Sequence, residues 1–298
     1  MKTLCFLIIL ALVALNIFAG DTLSIVVTYP YIESIAKEIG KEKVDVFCLS
    51  RGNEDPHFVV PRPSFIGRLR KADIFIINGA SLEIGFVPPL LRQANNRKVN
   101  PGNPGFLDLS QFVSIINKPE KVSRAEGDIH PEGNPHFLLD YYNIEPIAAA
   151  IHDIMIKNKP EQKEYFNQNY NQFIAQLHEK IKDWDSKITV LSNIKIIQYH
   201  RLFDYFFKRA QITIFAEIEP KPGIPPTARH SEEIVTSAKN DSVHSVVIDV
   251  YHDKRAAEEI AKRINTKFLI LPHDVRAQDD SKDIFTLFDT IIRRLSND

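Results

Sequence analysis

The chain predicts an α/β fold with open, mostly parallel sheets, set out in two domains around one long helix. The first observation is a series of short apolar runs: Leu23-Val27, Val44-Leu49, Asp73-Asn78, Lys195-Tyr199, Gln211-Glu217, Ser245-Val250 and Lys267-Leu271. Several are continuous rather than alternating, as strands buried on both faces of a parallel sheet must be. Helical patterns at Tyr31-Ile39, Pro63-Lys71, Ser231-Ala238 and Lys254-Ile264 lie between them, and strands alternating with helices give an α/β architecture. The third observation is the middle of the chain, where strand signals stop.

From Pro160 to Ile188 the apolar positions are Phe166, Tyr170, Phe173, Leu177, Ile181, Trp184 and Ile188. Steps of three and four residues put all seven on one face of a single helix. Pro160 followed by Glu161 and Glu164 suits a helix start, because proline costs nothing where no donor is needed and carboxylates favour the positive helix end. At 1.5 Å per residue such a helix runs roughly 40 Å. It is either a long surface helix of one lobe or a rigid strut between two, and the strands on both sides favour the strut. The expected division is therefore residues 21–159, a linking helix over 160–188, and residues 189–298.

The N-terminus reads differently. Met1-Lys2 precedes an apolar run from Leu4 to Phe18, ending at Ala19-Gly20-Asp21, the pattern of a secretory signal over residues 1–20. The run is short for a membrane span, and Cys5 precedes the apolar core rather than following it, where lipid attachment would need it. The expectation is a soluble, exported protein. Removing Lys2 with the leader leaves a formal charge of about −2, with no basic block for nucleic acid or an anionic membrane. Cys48 is then the only cysteine, so packing rather than a disulfide carries stability. It sits in an apolar run and reads as a packing residue, not a ligand. The remaining roughly 278 residues, from a chain 44% hydrophobic, suffice for two cores.

Three histidines stand out. His57 closes Glu54-Asp55-Pro56-His57, His136 closes Gly133-Asn134-Pro135-His136, and His200 directly follows the run Ile196-Ile197-Gln198-Tyr199. In open α/β sheets ligands bind beyond the carboxyl ends of strands, which is where His200 falls. His57 follows its strand by a polar loop, and Asp274 follows Lys267-Leu271 by three residues. Three neutral imidazoles with one carboxylate are a ligand set that a transition metal such as zinc prefers. His130, six residues before His136, reads as a surface-loop residue, a group supporting the ligands or an entry ligand. His252 follows a strand and is a further candidate for the cleft. His-Glu-x-x-His, Gly-x-Ser-x-Gly and phosphate-loop signatures are missing, so no enzyme is expected.

These residues carry a resemblance. With Asn53-Glu54-Asp55-Pro56-His57, Ala72-Asp73, Asn78-Gly79, Leu82-Glu83, Gly133-Asn134-Pro135-His136, Tyr199-His200, Tyr205-Phe206 and Glu219-Pro220-Lys221-Pro222-Gly223, the chain resembles the metal-specific (cluster A-I) solute-binding proteins of ABC importers for zinc and manganese. The resemblance implies two Rossmann-like lobes bridged by the long helix, with metal in the interlobe cleft. It implies His57 and His136 as ligands from the first lobe and His200 from the second, with Asp274 in fourth place. His252 or water stands as the alternative there. Manganese-type members tend to carry a glutamate where this chain has His200, so zinc is expected over manganese. The implied role is capture of metal in the periplasm and delivery to an inner-membrane ABC permease, by a monomer. A manganese-specific member, an exported zinc hydrolase and a metal-dependent adhesin are the alternatives.

Overall fold

The computed structural model describes residues 22–119 and 130–296. The expected leader, residues 1–20, lies outside them. The first part of the chain alternates β1 (Leu23–Val27), α1 (Pro30–Gly40), β2 (Val44–Cys48), α2 (Pro63–Lys71), β3 (Ile74–Ile77), α3 (Val87–Ala94) and β4 (Phe106–Asp108). Two helices follow, α4 (Ile144–Asn158) and α5 (Lys163–Ile188). The second part runs β5 (Lys195–Gln198), α6 (Asp204–Arg209), β6 (Thr213–Glu217), α7 (Ala228–Ala238), β7 (Val243–Ile248), α8 (Arg255–Arg263), β8 (Lys267–Ile270) and α9 (Ile284–Ser296).

Each part folds around its own four-stranded sheet, in the orders β2-β1-β3-β4 and β6-β5-β7-β8, with every pairing parallel. The two orders are the same pattern, first strand inside and second at the edge, used twice. Burial follows from it. Inner strands β1, β3, β5 and β7 hold the fully buried Ile25, Ile76, Ile197 and Val247, whereas edge strand β2 exposes Asp45. In such sheets the chain leaves in opposite directions from two adjacent inner strands, opening a crevice at their carboxyl ends. Both crevices face the same cleft, and that is what positions the site.

Helix α5 has 26 residues, about 39 Å of rise. Its apolar stripe is buried at Phe166, Phe173, Leu177, Trp184 and Ile188, with Tyr170 and Ile181 half-covered. The near end is tied to the first lobe, where Asn169 donates to the Ile39 carbonyl at 3.0 Å. Farther along, Trp184 Nε1 donates to Asp289 of α9 at 2.8 Å, and Tyr141 and Phe288 pack on the indole at centroid distances of 5.3 and 5.2 Å. The two parallel-sheet lobes are thus joined by one long helix, as the apolar period predicts.

Several elements escape the sequence reading. β4 is only three residues long, too short to show a period, and Gly105 beside it is forced by packing: a Cβ there would lie 2.3 Å from the Asp73 carbonyl. β6 starts at Thr213 rather than Gln211, because Gln211 turns the chain at φ +55° after α6.

Candidate metal site

The carboxyl ends of β1 and β3 are locked by one buried carboxylate. Glu83 accepts from Thr28 Oγ1 at 2.8 Å and from the Asn78 and Gly79 amides at 2.7 and 3.0 Å. Burial pushes its pKa up to about 7 despite those donors. Gly79, at φ +87°, is required here, since a Cβ would fall 1.8 Å from Asp108 Oδ1. Asn78 in turn accepts from Tyr31 at 2.7 Å and donates to the Pro135 carbonyl at 3.1 Å, fixing the loop that carries His136. Asn134 Oδ1 caps the His136 amide at 2.9 Å.

His57 sits in an Asx-type turn. Asp55 Oδ1 accepts from the His57 amide at 2.9 Å and faces its Nδ1 at 2.8 Å, while Tyr29 donates to the Pro56 carbonyl at 2.8 Å. His200, beyond the end of β5, presents Nδ1 to Glu219 Oε2 at 2.7 Å. In both cases the carboxylate accepts a hydrogen bond from Nδ1–H, which leaves the Nε2 lone pair free for a metal and fixes the ring's orientation.

These loops bring His57, His136 and His200 together. One nitrogen from each lies within 4.8 Å of the other two. Ring centroids are 5.2 Å apart for His57–His136 and 5.6 Å for the other two pairs, with rings near perpendicular at 75–81°. Zinc–nitrogen bonds of about 2 Å at a tetrahedral angle separate ligand atoms by ~3.4 Å, so the trio closes on an ion with small side-chain movement. Nε2 of both His57 and His136 is buried without a hydrogen-bond partner. A buried lone pair left unused costs free energy, and a cation is what these nitrogens fit. Burial and repulsion from the other imidazoles hold His136 well below the ordinary histidine pKa, keeping it neutral.

Asp274 is placed differently from the histidines. It is buried in the loop after β8, where Tyr29, Tyr31 and His136 line the same small pocket, but it falls outside the histidine trio. Desolvation raises its pKa to about 8. His252, the other candidate, is engaged on both sides: Nδ1 pairs with Asp249 at 2.6 Å and Nε2 with Glu219 at 3.4 Å. Burial opposes its charge, but the two carboxylates outweigh that and raise it to about 9. It is an imidazolium held beside the site. Glu219, desolvated but bonded by His200 and His252, is held down at about 2. The Cys48 thiol donates to the Ser50 carbonyl at 3.3 Å.

Asp55 and Glu219, which bond the Nδ1 atoms of His57 and His200, have no role in the sequence reading. Both lie inside the quoted motifs; Asp55, two residues before His57, could be found as a carboxylate close to a candidate ligand, whereas Glu219, 19 residues after His200, gave no such signal.

The comparisons with known proteins follow from this geometry. The family described as zinc-uptake complex component A, periplasmic, ZnuA, matches residues 25–297. The chain belongs to that family. It is therefore a metal-binding substrate-binding protein of an ABC importer, with an ABC permease as the implied partner. The family consists of solute-binding proteins. The high-affinity zinc uptake system protein ZnuA of Bacillus subtilis (strain 168) is 24% identical over 256 residues, 85% of this chain and 78% of the relative. The manganese ABC transporter substrate-binding lipoprotein PsaA of Streptococcus anginosus is 24% identical over 267 residues, 87% and 84% of the two chains. A crystal structure of ZnuA superposes with TM-score 0.77 at 21% identity, covering 93% of this chain and 99% of that one. A cadmium-bound periplasmic metal-binding protein from Candidatus Liberibacter asiaticus gives 0.75 at 12% identity, over 92% and 98%. These likenesses show the shared fold.

Proposed function

We propose that the protein captures zinc in the periplasm through His57, His136 and His200 and delivers it to an ABC permease. The observation that carries the choice of zinc is the donor set. The grouped ligands are three imidazoles with no carboxylate among them, which suits zinc, whereas manganese favours oxygen-rich sites. The zinc and manganese importers among the relatives are equally distant from this chain, so the ligand chemistry supports the choice rather than the similarity. The carboxylates that orient His57 and His200 raise ligand basicity and pre-form the site.

The lobes are held together around the site by polar contacts. Tyr205 donates to the Asn134 carbonyl at 2.7 Å, and Asn134 Nδ2 donates to the Arg201 carbonyl at 2.7 Å. Arg276 pairs with Glu33 across the cleft. With the long α5 as connector, these contacts support a small closure and release driven by the permease. The exposed Phe58, Val60 and Ile84, near His57 on the first-lobe rim, support the cleft face as the docking surface.

Competition calorimetry tests the reading. Zinc should bind at one equivalent per chain and displace manganese when both are supplied equally; manganese binding that zinc at equal concentration does not reverse would contradict it. Asp274, which lines a small pocket together with His136, is the fourth ligand that the family resemblance implies.

A further inference from the structure

We infer that His130 supplies the fourth nitrogen of the metal site, making a four-histidine set; this rests on the three-histidine reading above. Its Nε2 is buried without a hydrogen-bond partner, the same condition as Nε2 of His57 and His136. Among the described residues these are the only three histidine Nε2 atoms so left. The imidazole bonds the Ser81 backbone, and since Nε2 has no partner that bond uses Nδ1. An Nδ1–H donated there leaves the lone pair on Nε2, as at His57 and His200.

Position agrees with protonation. The His130 ring stacks on His57 at a centroid distance of 5.3 Å and 28° between planes. It also lines, with His136 and His200, a cavity of about 600 Å³. Its turn is built to present it: the Gly133 amide closes on the His130 carbonyl at 3.1 Å, Glu132 accepts from Ser81 at 2.8 Å, and Gly133 takes φ +113°. His130 lies outside the group closed within 4.8 Å, so its ring must move inward to complete a tetrahedral set. Asp274 is a weaker fit. It lines a different pocket, and its Oδ1 already accepts from the Val275 amide.

The test is long-range proton–nitrogen NMR of the zinc-loaded full chain with labelled histidine, His130 signals being assigned by their loss in His130→Ala. Four zinc-bound Nε2 resonances including His130 are expected, with zinc affinity lowered on the order of 10- to 100-fold in His130→Ala and within about threefold of wild type in Asp274→Ala. Three zinc-bound imidazoles with a free His130, or the larger loss in Asp274→Ala, would overturn the inference and leave the three-histidine reading intact. No zinc-bound histidine at all would sink the reading itself. Circular dichroism of both variants separates loss of a ligand from loss of fold.

Discussion

Glu219 accepts a hydrogen bond from Nδ1 of His200 at 2.7 Å, with both side chains buried. That bond decides which nitrogen of the second-lobe ligand faces the cleft. Replacing Glu219 with Gln leaves an acceptor but removes the charge that makes His200 a better donor, and frees the amide to flip. Glu219→Gln should weaken zinc binding about 10- to 100-fold without loss of fold. Calorimetry beside a thermal melt checks it; unchanged affinity would show that Glu219 merely fills space.

His252 gives the metal-free protein an alkaline limb. Its folded pKa, about 9, lies above the ordinary value of 6.5. The stability it contributes is fully present below pH 6.5 and is lost as pH rises towards 9. Between those two pH values the metal-free wild type should lose more melting temperature than His252→Gln, by a few degrees for a chain of this size. Parallel losses in the two proteins would refute the pairing with Asp249 and Glu219.

Asp274 predicts an effect of its own in the same range. Burial raises it from 3.8 to about 8, so the stability of its neutral form is full below pH 3.8 and is lost as pH climbs from there to about 8. Asp274→Asn keeps the shape and cannot ionise. Its melting temperature relative to wild type should therefore increase with pH and be highest above pH 8. A pH-independent difference would mean that Asp274 is solvated in the metal-free protein.

Gly52 is where the first-lobe loop touches the second-lobe loop. A Cβ there would lie 2.1 Å from the Val275 carbonyl and 2.6 Å from the Arg276 carbonyl carbon, both backbone atoms that cannot swing aside. Gly52→Ala should cost about 1–3 kcal/mol, as overpacking does, and force the lobes apart at that edge. Urea unfolding measures the cost, and small-angle scattering the separation; an unperturbed variant would show that the contact is not held in solution.

Much of this was legible in the sequence, for physical reasons. Short continuous apolar runs bounded by turn residues fit strands covered on both faces, and Leu23–Val27 is a strand with the same bounds in the structure. The helical period of Phe166 to Ile188 survives because one face of α5 is buried along its length. The histidines were visible because each follows a strand or sits in a rigid Pro/Gly loop. What stayed hidden depends on approach in space. Nothing in the sequence shows that the carboxylate 19 residues after His200 returns to its Nδ1, or that His252 is clamped between Asp249 and Glu219. Nor could spacing separate His130, stacked on His57, from a solvated loop histidine.

The central claim is that His57, His136 and His200 form one zinc site. The most direct measurement is elemental analysis of the chain purified without added metal, wild type beside His200→Ala. The account predicts one zinc per chain in wild type and less than a tenth of that in His200→Ala, with circular dichroism unchanged. Wild type that holds no zinc even after reconstitution, or a His200→Ala protein that keeps its full equivalent, would contradict it.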